Sequence, residues 1–372
     1  MVSAKTRLFS PLTIKGVTIL NRAWVAPMCQ YMADDGMPND WHHVHLSAFA
    51  NGGFGLILTE ATAVCPEGRT TPHDTGLWND EQRDAWARIT QAVHARGSRI
   101  GVQLGHAGRK AGALNPFSGA RGSVPLDEGG WSTVAPSPIA FGDYAVPSEL
   151  TSDEISQIPT AFALAAQRAV AAGFDVVEVH AAHGYLLHQF LSPLSNARTD
   201  DYGGRLVNRA CVLLQVVRAI RRAIPDVPLF VRLSATDWEE NGLTVSEVAE
   251  VASWLREEGV DFIDVSTGGN TPNPEISVGP GYQVAAARAV REVCALPVSA
   301  VGLITTAEHA ESILVQENAD AIMLGRAALI DPHWPLHAAQ RLQDERTKPL
   351  PPHRTTLQAS SEALNRELFK IA

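Results

Sequence analysis

A chain of 372 residues, 45% hydrophobic and 19% charged, has the make-up of an ordinary globular protein and the length of one (β/α) barrel. Its formal charge of −10, from 40 acidic against 30 basic residues, argues against nucleic acid or an anionic membrane as the principal partner. Cys29, Cys65, Cys211 and Cys294 form no Cys-x-x-Cys pair, the first residues hold no hydrophobic signal core, and no apolar run reaches the roughly 18 residues of a membrane span. A cytoplasmic protein without iron–sulfur cluster, zinc finger or membrane anchor is expected.

Residues 8–20 read as a hairpin turning at Lys15-Gly16, placed to cover the bottom of a barrel. Strand-like runs follow at 22–28, 55–62, 99–106, 175–180, 229–234, 262–266, 298–302 and 321–324, alternating with Ala-, Leu- and Glu-rich stretches of helical periodicity. Thr151/Glu154, Thr244/Glu247 and Thr305/Glu308 have the spacing of capping boxes, and Asp331-Pro332 that of an N-cap followed by proline. Eight near-continuous apolar strands separated by helices predict a closed parallel (β/α)8 TIM barrel. It forms one domain over 1–372, with the barrel at about 21–346 and a tail at 347–372. A doubly wound sheet would carry Gly-x-Gly-x-x-Gly after its first strand, where Pro27-Met28-Cys29 stands instead. The Gly/Pro/Trp-rich connection after the third strand, 106–150, has the length of a functional loop, a lid above the C-terminal face of the barrel.

Chemistry collects where the strands end. In His180-Ala-Ala-His183-Gly-Tyr185, two imidazoles and a phenol follow the apolar run 174–179. Neutral imidazoles converging on one point can hydrogen-bond a carbonyl oxygen and stabilise charge developing on it, and a neighbouring phenol can deliver a proton to the enolate. Two other readings stand beside this one: core histidines that only pack, and a zinc pair, although no Glu adjoins the first His and no third ligand is evident. Gln103, Glu178, His180 and Arg232 fall on strand positions that a barrel normally fills with Val, Ile and Leu. Alternation sends Phe230, Arg232 and Ser234 to one face. Arg232 therefore needs an acceptor, either an internal ion pair, for instance with Glu178, or the polar edge of a cofactor. The ends of the last two strands, Val301-Gly302 and Leu324-Gly325-Arg326, suit a phosphate held on backbone amides. His42, His43 and His45 read as the start and surface of the first helix, and no metal site is expected.

Taken in order, Ala26-Pro27-Met28-Cys29-Gln-Tyr31, Gln103, His106-Ala-Gly-Arg-Lys110, the block from His180 to Arg205, and Gly325-Arg326 carry a family likeness. The chain resembles the Old Yellow Enzyme family of FMN-dependent ene-reductases over about residues 8–335. Within it, Cys29 in place of a threonine is similar to the thermophilic-like or xenobiotic-reductase branch. The resemblance implies a non-covalent FMN, with Ala26, Pro27, Met28, Cys29, Ala61, Gln103 and Arg232 around the isoalloxazine and Gly302, Gly325 and Arg326 at the phosphate. It implies that His180 and His183 clamp the substrate's oxygen, that Tyr185 protonates the adjacent carbon, that Tyr31 contacts substrate from the other side, and that Cys29 tunes the flavin without attacking substrate. The implied reaction is NADPH-driven, ping-pong reduction of activated alkenes through flavin N5, with nitro compounds as further acceptors. The implied assembly is a homo-oligomer, a dimer or tetramer. The tail does not match the Arg or Trp pattern with which that branch reaches into a neighbouring subunit's site. By residues alone, a barrel lyase or aldolase acting on a phosphorylated substrate and a non-catalytic flavin carrier remain the competing functions.

Overall fold

The computed structural model describes residues 6–348 and 350. Strands β1 (Leu12–Ile14) and β2 (Val17–Ile19) form the expected antiparallel hairpin, with Leu12 opposite Ile19. Its turn places Lys15 at φ 43 and Gly16 at φ 82, the two left-handed residues that a tight hairpin with right-handed twist requires. Ile14 and Ile19 bury against Trp24, Leu56, Leu58, Val176, Phe230 and Phe262, near the N-terminal ends of the barrel strands. The hairpin is thus an apolar plug for the barrel floor. Above it Phe230 and Phe262 stack at 4.6 Å, with Trp24 tilted against Phe262 at 5.1 Å.

The barrel itself closes from β3 (Ala23–Val25), β4 (Leu56–Ala63), β5 (Arg99–Gly105), β8 (Val176–Ala181), β9 (Leu229–Ser234), β10 (Phe262–Ser266), β11 (Val298–Ala300) and β12 (Ala321–Leu324). All eight lie within the expected runs, extended at most by a residue, and every neighbouring pair is parallel. Cross-strand register sets the layers of the interior. Phe230 lies opposite Glu178 and Phe262, and Arg232 lies opposite His180 and Asp264. An aromatic layer below a polar layer follows, because side chains on one face recur every two residues. In β4 the pairing slips between Leu58 and Ala61, a bulge that turns Glu60 toward the first helix, Asp40–Asn51.

Capping chemistry starts two of the four helices where expected. The boxes at Thr151/Glu154 and Thr244/Glu247 are both formed. Two expected starts move by a residue or more. Thr306, not Thr305, caps the helix Ala307–Val315, and Glu308 leaves the cap to pair with Arg341. The helix expected at Asp331-Pro332 begins at Trp334, while Asp331 accepts a hydrogen bond from the His333 amide and holds the turn before it. The histidine reading of the first helix also changes. His42 is buried, its Nδ1 accepts from the Asn39 amide at 3.0 Å, and its Nε2 lies 3.0 Å from Glu60 Oε1. A ring nitrogen substitutes for the Glu or Gln of an ordinary capping box, a device that sequence spacing does not advertise.

The connection after β5 carries three short 3-10 turns and a two-residue parallel ladder, β6 (Val134–Ala135) with β7 (Ser148–Glu149). Arg109 ties it to the loop after β10 through Asn270 O at 2.7 Å, and Arg198 donates to Pro136 O and Leu150 O. Among the described residues no helix is long and apolar enough to cross a membrane. The tail expectation falls outside the described residues beyond 347, 348 and 350.

Candidate active site

β8 delivers His180, and the chain then makes a turn that no ordinary residue pair would choose. His183 sits at φ 56 and Gly184 at φ 72. At Gly184 the need for glycine is steric as well, since a Cβ there would lie 2.2 Å from Gly269 O. A histidine in the left-handed region persists only where its surroundings over-determine it. Here the His183 amide donates to Ser234 Oγ at 2.9 Å, its carbonyl accepts from Lys110 Nζ at 2.9 Å, and the Gly184 amide donates to His188 Nδ1 at 2.8 Å. His188 Nε2 in turn lies 3.0 Å from Asp237 Oδ1 in a bent, fully buried contact. Asp237 Oδ2 accepts from Ser192 Oγ at 2.6 Å and the Leu243 amide at 2.9 Å.

The turn brings three rings together edge to face. His180 and His183 have centroids 5.2 Å apart at 87°, and His180 and Tyr185 4.7 Å apart at 90°. His180 Nδ1 accepts from the Ala182 amide, which leaves the proton on Nε2. His183 Nε2 meets Ser266 Oγ at 2.7 Å, and that hydroxyl also donates to Gln283 Oε1 at 3.3 Å. Burial, reinforced by the charge of Arg232, holds both imidazoles well below the usual histidine range, so both are neutral donors. Burial holds the Tyr185 phenol well above its usual range, so it keeps its proton. Lys110 Nζ rests 5.1 Å over the Tyr185 ring, and burial lowers the ammonium to about 8.

Below these rings lies the polar layer. Gln103 Nε2 donates to Glu178 Oε1 at 2.8 Å. The partner of Arg232 is Asp264, with Nε 3.0 Å from Oδ2, and not the Glu178 that strand spacing suggested. Burial, then the charge of Asp264, raises the Glu178 carboxyl, so Glu178 is the neutral member and Asp264 the counterion. The terminal nitrogens of Arg232 make no hydrogen bond among the described residues and are not among the buried unpaired atoms, so they open onto the barrel mouth. A flat anionic ring with an acceptor edge fits those free donors, with amphoteric Gln103 alongside.

Other expected residues surround the same mouth. Pro27, Met28 and Cys29 continue half-buried from the end of β3, and Ala61 borders a small cavity with His180 and Tyr185. Burial and the charges of Asp74 and Glu60 push the Cys29 thiol well up, which leaves it protonated and a poor nucleophile. Tyr31, at φ 57, meets Phe117 of the long loop edge-on at 5.9 Å. Gly302 adopts φ 117, and a Cβ there would meet Gln283 Nε2 at 2.9 Å and the Tyr282 ring at 3.0 Å. Its smallness is therefore demanded by the neighbouring loop. At Gly325 the nearest atom to a Cβ is Met28 Sδ at 3.7 Å, and Arg326 is exposed at the start of the helix Arg326–Ile330.

Sequence reading put Ser234 on the inward face without its partner His183, and it missed Ser266, which also holds His183, the His188–Asp237 pair, and Asp74 behind Tyr185. Lys110 was visible only as part of a motif. It also missed a cluster of Cys65, Glu67 and His106, whose ligand atoms lie within 4.8 Å of one another. Its chemistry does not favour a metal: His106 Nδ1 accepts from the Gly108 amide at 3.0 Å, so Nε2 carries a hydrogen, and burial keeps the Cys65 thiol protonated.

Free guanidinium donors beside neutral imidazoles and a protonated phenol, at the C-terminal mouth of a parallel barrel, suit the flavin-dependent class of barrel oxidoreductases. The pattern of the NADH:flavin oxidoreductase / NADH oxidase family matches residues 7–345, and the chain belongs to that family, as an FMN-dependent oxidoreductase of the Old Yellow Enzyme type. It is 44% identical over 346 residues to an NADPH dehydrogenase of Bacillus velezensis, covering 92% of this chain and 97% of that protein. Morphinone reductase in complex with tetrahydroNAD superposes with a TM-score of 0.75 at 28% identity, covering 90% of this chain and 91% of that one. A 2-naphthoyl-CoA reductase superposes with a TM-score of 0.82 at 26% identity, and this chain spans about half of it, 52%.

Proposed function

We propose that this protein is an NADPH-dependent ene-reductase that reduces the C=C bond of α,β-unsaturated carbonyl compounds and accepts nitro compounds at the same site. The observation that carries the reading is the perpendicular cluster of His180, His183 and Tyr185, two neutral donors and one protonated phenol on a single strained turn. Bound FMN supplies the hydride carrier between NADPH and substrate, one half-reaction after the other. Ala26, Pro27, Met28, Cys29, Ala61, Gln103 and Arg232 would hold its ring system, and Gly302, Gly325 and Arg326 its phosphate.

The residues' own work follows from their protonation. His180 Nε2–H and the neutral His183 ring hydrogen-bond the substrate oxygen and stabilise the negative charge that grows there. Donors of this kind are worth about 3 kcal/mol each in comparable sites. Tyr185 O–H delivers a proton to the carbon next to that oxygen's carbon. Tyr31, braced by Phe117, bounds the substrate on the far side, and Cys29 tunes the ring without forming a bond to substrate. A homo-oligomer is the expected assembly. A barrel aldolase would have no use for Arg232's free donors at the centre of the mouth, which weighs against that reading.

Tyr185→Phe tests the proposal in stopped flow on the FMN-loaded enzyme. Flavin reduction by NADPH should stay within twofold of wild type, while reoxidation by cyclohexenone should slow by roughly one to four orders of magnitude and reoxidation by a nitro acceptor should not. Equal cyclohexenone rates in mutant and wild type would remove Tyr185 from the mechanism.

A further inference from the structure

We propose that Asp74, working through the Thr70 hydroxyl and one water molecule, is the proton relay that restores Tyr185 after each turnover. The proposal rests on Tyr185 being the proton donor to substrate. A phenol that has given its proton away in a buried pocket is a phenolate in the wrong surroundings, and the enzyme cannot repeat the reaction until it is reprotonated.

Behind Tyr185 lies a cavity of about 10 Å³ bordered by Thr70, Asp74, His106, His180 and Tyr185. That is the room one water molecule needs, and the lining supplies polar partners for it. The Thr70 side chain borders this cavity together with Tyr185 and Asp74, so its hydroxyl and one water can link the two. Asp74 is 1% exposed; its Oδ2 accepts from the Thr70 amide at 2.8 Å and its Oδ1 from the Thr71 hydroxyl at 2.9 Å. Among the described residues no cation pairs with it. A carboxylate buried without a counterion is costly, so the group spends much of its time protonated. Burial, then the charge of Glu60, raises it to about 7.

The other ionisable groups around this space are poorer proton sources near neutral pH. Cys29 and Tyr31 are held protonated well above neutrality. His106 is lowered to about 4 by burial and is neutral, and the Glu60 carboxylate is engaged by the Gln30 amide and by His42. Lys110 faces the Tyr185 ring rather than its hydroxyl, and its ammonium is committed to His183 O and Gly269 O. Asp74 remains.

The step balances without any redox change. Tyr185 O–H breaks as the new C–H bond forms. The Asp74 carboxyl proton passes to the water or the Thr70 hydroxyl, which releases its own proton to the Tyr185 phenolate. The Asp74 carboxylate then takes a proton from bulk solvent past the half-buried Thr70 and the exposed His73.

A merely structural Asp74 would pin the 70–74 turn, and its loss would damage every turnover alike. A relay residue is needed only from the second turnover onward. The experiment uses the FMN-loaded enzyme with Asp74→Asn, Thr70→Val and Thr70→Ser. Pre-reduced protein is mixed with one equivalent of cyclohexenone, and separately with excess NADPH and cyclohexenone. The relay predicts that Asp74→Asn and Thr70→Val reoxidise in the first turnover within twofold of wild type and then continue at least fivefold more slowly, giving a burst and a larger solvent deuterium isotope effect on kcat. Thr70→Ser, which keeps the hydroxyl, should show neither. Absence of a burst in both of the first two variants overturns the relay, as does a first turnover slowed in step with kcat. Tyr185→Phe run alongside separates the two claims: if it reoxidises like wild type, the donor assignment itself has failed, whereas a slow Tyr185→Phe with burst-free Asp74 and Thr70 variants condemns the relay alone.

Discussion

Arg232 is paired on one side and free on the other, and that asymmetry gives it a role no core arginine needs. Asp264 Oδ2 faces Nε at 3.0 Å as an ion pair without hydrogen-bond geometry, and Ser299 donates to the other oxygen of Asp264, so the charge is paired without consuming the terminal nitrogens. Removing the guanidinium alone would strand Asp264, a penalty of about 3–5 kcal/mol for a broken buried pair. The informative variant is therefore Arg232→Ala combined with Asp264→Asn. Its apoprotein should melt close to wild type, while FMN content after purification falls and the bound flavin becomes harder to reduce, because a cation beside the anionic reduced ring is gone. A wild-type reduction potential in the double variant would place the flavin's acceptor edge elsewhere. At this scale the sequence was half legible. Alternation put Arg232 on the inward face correctly, but it could not choose Asp264 over Glu178, since both lie on strands that pair with β9 and only the register decides which reaches it.

At the scale of elements, the turn 181–185 is held by a helix that follows it. His188, in the first turns of Leu186–Leu191, turns its Nδ1 back to the Gly184 amide while Asp237, after β9, backs the other ring nitrogen. His188→Ala leaves the Gly184 amide and Asp237 without their partner. The expected cost is about 1–3 kcal/mol of stability, read as a lower urea midpoint. The alkene half-reaction should fall at least tenfold while the NADPH half-reaction changes little, because the displaced groups are His183 and Tyr185. Equal losses in both half-reactions would reduce His188 to a packing role. The same scale shows where capping logic worked and where it did not. Thr151 and Thr244 were legible because their Glu partners lie three residues on and stay in the cap, Glu247 with one oxygen while the other accepts from Arg209. At Thr305 the helix starts one residue later, with the Thr306 hydroxyl accepting from the His309 amide, and a one-residue shift of the start leaves no trace in local spacing.

For the whole molecule, buried neutral histidines set the acid limit. Burial lowers His106 and His45 to about 4. In the unfolded chain these rings take a proton near pH 6.5, whereas in the folded barrel they do so only near 4. Between those values the unfolded state binds more protons. Folding stability is therefore full above about pH 6.5 and is lost as the pH falls toward 4, by up to about 3 kcal/mol for a fully buried ring such as His106. Urea midpoints at pH 7.5 and 4.5 should differ accordingly, and His106→Asn should narrow the gap; an unchanged gap would assign the acid sensitivity to other groups.

The barrel was legible end to end because its signals are local: β-branched apolar runs of strand length, helical periodicity between them, and a Lys15-Gly16 turn that only left-handed residues can make. The family motifs were legible for the same reason, as strand ends with chemistry that a core does not need. The polar partners were decided by the tertiary structure alone. Asp264 for Arg232, Ser266 and Ser234 for His183, Asp237 for His188 and the Thr70–Asp74 cavity for Tyr185 all join residues far apart in the chain, and most join different strands or loops. Hydrophobic burial is nearly indifferent to which apolar neighbour a side chain meets, so pattern suffices to predict it. A buried hydrogen bond or ion pair depends on a few tenths of an ångström and on one partner, and those are fixed only when the register of eight strands closes into a barrel.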